Sequence, residues 1–245
     1  MRFYPAVAAL MAATTIAAAD EIPLPRPRPA AIASAASPEP SACQVALAKR
    51  AVFAPLPPII GPGGCGAPDV VRLDAVIMPD QTRVPLQPPP TLRCGMAQAV
   101  ADWVRADLGP QGATMGAPLK AIENYDSYDC RGMNRVAGAK LSEHGKANAL
   151  DIRSITLADG RTIHPTDPAV AREFREGMRA SACARFKTVL GPGSDGYHEE
   201  HIHVDLAERH SDYRICHWDI REPAAVVDVP LPRPRPAFTL AGQKL

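Results

Sequence analysis

Two short stretches hold most of this chain's chemistry-bearing residues. The first, Tyr197-His198-Glu199-Glu200-His201-Ile202-His203-Val204-Asp205-Leu206, carries three of the seven histidines and three carboxylates. Side chains on a strand alternate between faces, so Ile202, Val204 and Leu206 would point one way and His201, His203 and Asp205 the other. Such alternation also describes an ordinary strand with one wet face. Two imidazoles at i and i+2 are close enough to act as two zinc ligands, or as one ligand beside one proton-handling group. The second stretch, Ser142-Glu143-His144-Gly145-Lys146-Ala147-Asn148-Ala149-Leu150-Asp151, adds a histidine and an aspartate. Together the two supply His, Asp and His, a three-ligand set that leaves the fourth tetrahedral position open, as catalytic zinc requires.

The elements that must hold these groups are legible in part. Leu150, Ile152 and Ile155 against Asp151 and Arg153 predict a strand over residues 149–157, and Asp159-Gly160 predicts a hairpin returning through residues 161–163. Phe186 to Leu190 reads as a strand that pairs, across the Gly191-Pro192-Gly193 turn region, with the histidine-bearing strand. Met96, Val100, Trp103 and Val104 form a helical stripe from Gly95 to Leu108, with Trp103 in the core and Gly109-Pro110 as the stop. Asp167-Pro168 predicts the start of a second helix, with Val170, Phe174, Met178 and Ala182 as its stripe, ending at Cys183. Residues 43–90 suggest a short helix at Gln44 to Lys49 and one strand at Val70 to Met78; otherwise the segment is expected to wrap the domain. Arg131, in Asp126-Ser127-Tyr128-Asp129-Cys130-Arg131, is either a fixed charge in a cleft or a surface arginine.

Composition sets the frame. The 245 residues are 46% hydrophobic, enough for a core, and the net charge of +1 gives no argument for nucleic acid. Arg2, the apolar run Val7 to Ile16 and Ala17-Ala18-Ala19 predict a signal peptide over residues 1–19, too short to span a bilayer. No other stretch is apolar enough for a transmembrane helix, so the expectation is export to the periplasm or cell envelope. Six cysteines without a Cys-Xaa-Xaa-Cys pair suit disulfides; sequence-local bridges, Cys43–Cys65, Cys94–Cys130 and Cys183–Cys216, are the simplest expectation. The 27 prolines crowd toward the two ends. Residues 20–42 and 219–245 are proline-rich, and the octapeptide Pro23-Leu24-Pro25-Arg26-Pro27-Arg28-Pro29-Ala30 returns at Pro230–Ala237. Both copies are expected to be polyproline-II, as spacers or as ligands for a partner.

Ser127-Tyr128-Asp129-Cys130-Arg131, Ser142 to Asp151, Thr188 to Gly193 and His201-Xaa-His203 resemble the bacterial extensin-like C-terminal domain family over roughly Cys43 to Cys216. That family is similar to the LAS-type zinc peptidases (lysostaphin, D-Ala-D-Ala metallopeptidase, sonic hedgehog). The resemblance implies an α+β domain over residues 43–218, a small antiparallel sheet with flanking helices in the LAS/hedgehog-type fold, stapled by disulfides. It implies zinc held by His144, Asp151 and His203. In the endopeptidase branch the first histidine of the pair, here His201, handles protons; in the carboxypeptidase branch a glutamate three residues before the last ligand does, and Glu200 holds that spacing. A regular strand would send Glu200 to the opposite face, which favours His201. Arg131 is the nearest match to the arginine that polarises the scissile carbonyl, and Asp205 would orient a ligand ring. Ala147 stands where the LAS pattern commonly has glycine. The expected activity is an exported zinc peptidase acting on peptidoglycan stem peptides or cross-links. The alternatives are a non-catalytic wall-binding module on the same fold, or a structural protein organised by its tails.

Overall fold

Short apolar runs interrupted by proline and glycine favour strand pairing over long helices. The computed structural model describes residues 39–223, so the signal peptide and both octapeptide repeats lie outside the described residues. Helix α1 (Ala42–Leu47) is capped by Ser41, whose side chain accepts from the Gln44 amide. There follow β1 (Ala51–Leu56), β2 (Ile59–Ile60), β3 (Gly66–Ala67), β4 (Val70–Ile77), β5 (Arg83–Gln87) and β6 (Thr91–Arg93). Helices α2 (Cys94–Trp103) and α3 (Gly109–Thr114) lead to β7 (Leu119–Asp126), β8 (Ala149–Leu157) and β9 (Thr162–Ile163). Helix α4 (Arg172–Arg185), β10 (Thr188–Leu190), β11 (Ile202–Asp205) and β12 (Ile215–His217) complete an α+β fold.

Ten strands join in the order β1-β4-β5-β7-β8-β11-β10-β12, with β6 beside β4 and β9 beside β8, while β2 and β3 pair separately. The expected small antiparallel sheet is thus a large mixed one, because β5 runs parallel to β7 and β10 parallel to β12. The strands from residues 51–93 also correct the expectation that this segment merely wraps. Val70, Val71, Leu73 and Val76 are fully buried, while Arg72 is exposed between them. Prolines masked that signal but are tolerated where they fall. Pro55 lies on the edge strand β1, and Pro85 precedes the Leu86 and Gln87 positions at which β5 meets β7.

Met96, Val100, Trp103 and Val104 are buried as their spacing predicts. Trp103 meets Phe186 edge to face at 5.4 Å and donates its indole N–H to Ser181 Oγ at 3.0 Å. The helix does not stop at Gly109-Pro110. A π turn over Val104–Leu108 lets the Gly109 amide bond back to the Val104 carbonyl, and this wider turn relieves the clash that a proline ring makes with the preceding turn. Helix α4 starts at Arg172, later than expected, because Asp167 closes its own turn: its carboxylate accepts from the Ala169 amide and its carbonyl from Val170. The Asp159-Gly160 hairpin forms, with Gly160 at φ 89° joining β8 to β9.

The disulfides are Cys43–Cys94, Cys65–Cys130 and Cys183–Cys216. The first two differ from the sequence-local pairing, because α1 lies against α2 and because residues 61–65 lie under the loop that follows β7. They join distant elements and enclose separations of 51, 65 and 33 residues. Closing loops of this size stabilises a domain by about 2–4 kcal/mol per bridge. Replacing Cys65 and Cys130 together by serine is expected to lower the melting temperature by about 4–16 °C, read by scanning calorimetry. Peptide mapping of the unreduced protein should recover the Cys43–Cys94 and Cys65–Cys130 linkages.

Candidate metal centre

Strands β8 and β11 are antiparallel neighbours, with His203 opposite Asp151 and Val204 opposite Leu150. Directly opposed residues project to the same face, so one face of this pair brings His203 to Asp151. The other sends Leu150, Ile152, Ile202 and Val204 into the core. His144 arrives from a single 3₁₀ turn, His144–Lys146, and Ala147 at φ 51° swings the chain into β8. A left-handed conformation of this kind favours glycine. Here the Ala147 methyl is fully buried against Ala67 and Val70, which offsets the conformational cost.

The three predicted ligands converge. His144 Nε2 lies 3.1 Å from His203 Nδ1 and 3.3 Å from Asp151 Oδ1, and His203 Nδ1 lies 2.8 Å from that same oxygen. Metal bonds of about 2.0–2.1 Å at tetrahedral angles place ligand atoms about 3.3 Å apart, so the triangle has the dimensions of a zinc site. The remaining ring nitrogens are also engaged: His144 Nδ1 with the Ser127 carbonyl at 2.5 Å, and His203 Nε2 with Asp205 Oδ2 at 3.1 Å. An acceptor on the far nitrogen fixes the tautomer and turns the near lone pair toward the shared centre. Asp205 therefore sits where an orienting carboxylate belongs. The donor set fits a divalent cation. Among the described residues, the other grouping of potential ligands, Cys43, Asp69 and Cys94, has both sulfurs in a disulfide and offers no thiolate.

Charge in the triangle is tightly coupled. Burial works to raise the Asp151 pKa, but hydrogen bonds from His144 and His203 outweigh it and hold the carboxyl far below the usual range. Burial works to lower that of His203, yet Asp151 and Asp205 together push it up to about 10. For Asp205 burial again opposes, and the hydrogen bond from His203 wins, lowering it.

Around the triangle opens a cavity of about 960 Å³ whose lining includes Tyr125, Arg131, Tyr197, His198 and His201. His201 immediately precedes β11 and places Nε2 3.4 Å from Asp151 Oδ2; burial lowers its pKa, so its ring is neutral at pH 7. Glu200 lies apart from the triangle. Its side chain is 74% exposed, faces Arg153 at 3.0 Å and does not line the cavity. Arg131 does line it, but its guanidinium is engaged by Asp126 at 2.9 Å and Asp129 at 3.0 Å. Sequence reasoning missed two neighbours. His198 is buried, bonds Asp195 Oδ1 at 2.7 Å and lies 5.1 Å, ring to ring, from His201. Tyr125, at the end of β7, lies 4.9 Å from the same ring. The Asp195-Xaa-Xaa-His198 spacing was the available signal for the first; nothing local marks the second.

Among known families, the one described as extensin-like protein C-terminus matches residues 41–217. No curated protein and no solved structure gives a significant match.

The metal-free site has a defined pH signature. His203's raised pKa contributes stability that is complete below about 6.5, its unfolded value, and is lost as pH rises through about 10. Asp151's contribution is present above about 3.9 and is lost as pH falls below that. The metal-free protein is therefore expected to lose melting temperature progressively from about pH 6.5 to 10. Histidine-resolved NMR on the same sample should show His203 still charged at pH 8 and His201 already neutral at pH 7.

Proposed function

Because the chain belongs to the extensin-like protein C-terminus family, whose motifs resemble those of LAS-type zinc peptidases, we propose that it is an exported zinc-dependent peptidase. Its substrates in this reading are the stem peptides or cross-links of peptidoglycan. The supporting observation is the triangle itself: three buried donors at edges of 2.8–3.3 Å, with both imidazoles oriented by acceptors on their far nitrogens. His144, Asp151 and His203 would hold zinc, which when bound supplies Lewis acidity that brings the pKa of water toward about 7.

The remaining steps belong to the chain's own side chains. His201, neutral at pH 7 and lining the same cavity, takes a proton from the attacking water and returns it to the leaving amine. Glu200, turned to Arg153 at the surface, has no part in this transfer. Arg131 presents a fixed positive charge to the cavity, already partly neutralised by two aspartates, so it contributes to substrate orientation more than to oxyanion stabilisation. The disulfides suit an oxidising compartment, and among the described residues no helix is long and apolar enough to cross a membrane. Periplasm or cell envelope is the compartment in this reading.

The engaged Arg131 and outward Glu200 favour one rival: a wall-binding module in which the same residues hold zinc without hydrolysis. Purified mature protein incubated with zinc and muropeptides separates the two. The peptidase reading expects one zinc per chain, lost in His144→Ala, and peptide cleavage that falls about 10²–10⁴-fold in His201→Ala with zinc content retained. Full zinc loading with wall binding but no cleavage of any stem or cross-linked peptide would establish the rival.

A further inference from the structure

His201 has a neighbour on its Nε2 only at 3.4 Å, too long and too loosely directed to fix an imidazole by hydrogen bonding. Its ring is nonetheless buried, and what surrounds it is aromatic. Tyr125 lies 4.9 Å away, centroid to centroid and tilted by 36°, and His198 lies 5.1 Å away at 54°. Each of these rings is itself anchored. His198 is tied to Asp195, which also accepts from Asn134 at 3.2 Å. Tyr125 carries the Arg153 guanidinium over its ring at 4.8 Å, and Arg153 donates to Glu200, the residue preceding His201, at 3.0 Å.

The contacts close a circuit: Glu200 to Arg153, Arg153 to Tyr125, Tyr125 to His201, and back along the chain to Glu200. Its members make little sense as stabilisers of the fold. Exposed Arg–Glu pairs contribute almost nothing to stability, and Tyr125, 49% exposed, is outside the core. Their common point is the His201 ring. We infer that Tyr125 and Arg153 are positioning residues that hold the His201 imidazole in register with the metal triangle, with Glu200 serving as the anchor of Arg153. This inference rests on the peptidase reading for its consequence in turnover, but the ordering of His201 is a property of the chain alone.

Two measurements test it. In metal-free full-length protein with ring-labelled histidine, ¹³C relaxation should show larger ring motion of His201 in Tyr125→Ala and Arg153→Gln, with His144 and His203 unchanged. Tyr125→Phe, which keeps the ring, should keep His201 ordered. In the zinc-loaded protein, Tyr125→Ala should lower kcat about 10- to 100-fold at nearly constant KM, and cost nothing further in a His201→Ala background. An unchanged His201 ring in both Tyr125→Ala and Arg153→Gln overturns the inference, as does a Tyr125→Ala loss of equal size with and without His201. Arg153→Gln, altered at the surface, gives the answer even if Tyr125→Ala fails to fold. If the parent protein cleaves no peptide, the peptidase reading fails by itself and the relaxation data still decide the placement of His201.

Discussion

A carboxylate buried to 3% exposure in the middle of a sheet is the demand this structure is arranged to meet. Asp151 sits on β8, which pairs with β7, β9 and β11, so its backbone is fixed in the sheet and its carboxylate meets only the floor of the cavity. An isolated ionised carboxyl in such a place costs several kcal/mol. Two imidazoles, one from the strand beside it and one from the turn before it, answer that charge. A one-residue slip of β8 against β11 would send Asp151 into the apolar layer and Leu150 into the cavity. Burial of Leu150, Ile152, Ile202 and Val204 on the opposite face therefore enforces the register that the polar site needs.

The segment from Asp126 to Arg131 serves the same demand at one remove. The Ser127 carbonyl orients His144, and its hydroxyl accepts from the Thr91 amide, tying the loop to β6. Asp126 and Asp129 hold Arg131 and share Arg135, while Cys130 is bonded to Cys65. The segment that carries Arg131 is thus a scaffold. Most of its polar groups are spent on keeping one carbonyl oxygen in place.

How much of this could be read from the letters depended on whether the governing interaction was local. Alternation on residues 149–157, the Asp159-Gly160 turn and the Trp103 stripe are local periodic signals, and they appear in the structure. The set His144, Asp151 and His203 was legible because strand alternation and motif resemblance agreed. Alternation favoured His201 over Glu200, and although both precede β11 at Ile202, it is His201 that lines the cavity. Tyr125 beside His201 depends on the placement of β7 against β8, which no window on the chain reports. The strands of residues 51–93 were hidden by Pro55 and Pro85, which the sheet admits opposite Val71 and Ala75, and two disulfides by the folding of α1 and residues 61–65 onto distant partners.

The Cys65–Cys130 bridge lies three residues from the carbonyl that aims His144. Thiol oxidation and imidazole orientation are consequently events on the same short loop. The two strands that carry Asp151 and His203 hold no cysteine, whereas the third corner of the triangle follows a loop that a disulfide closes. Two corners of the triangle thus rest on strand pairing, and the third on a loop closed by a covalent cross-link.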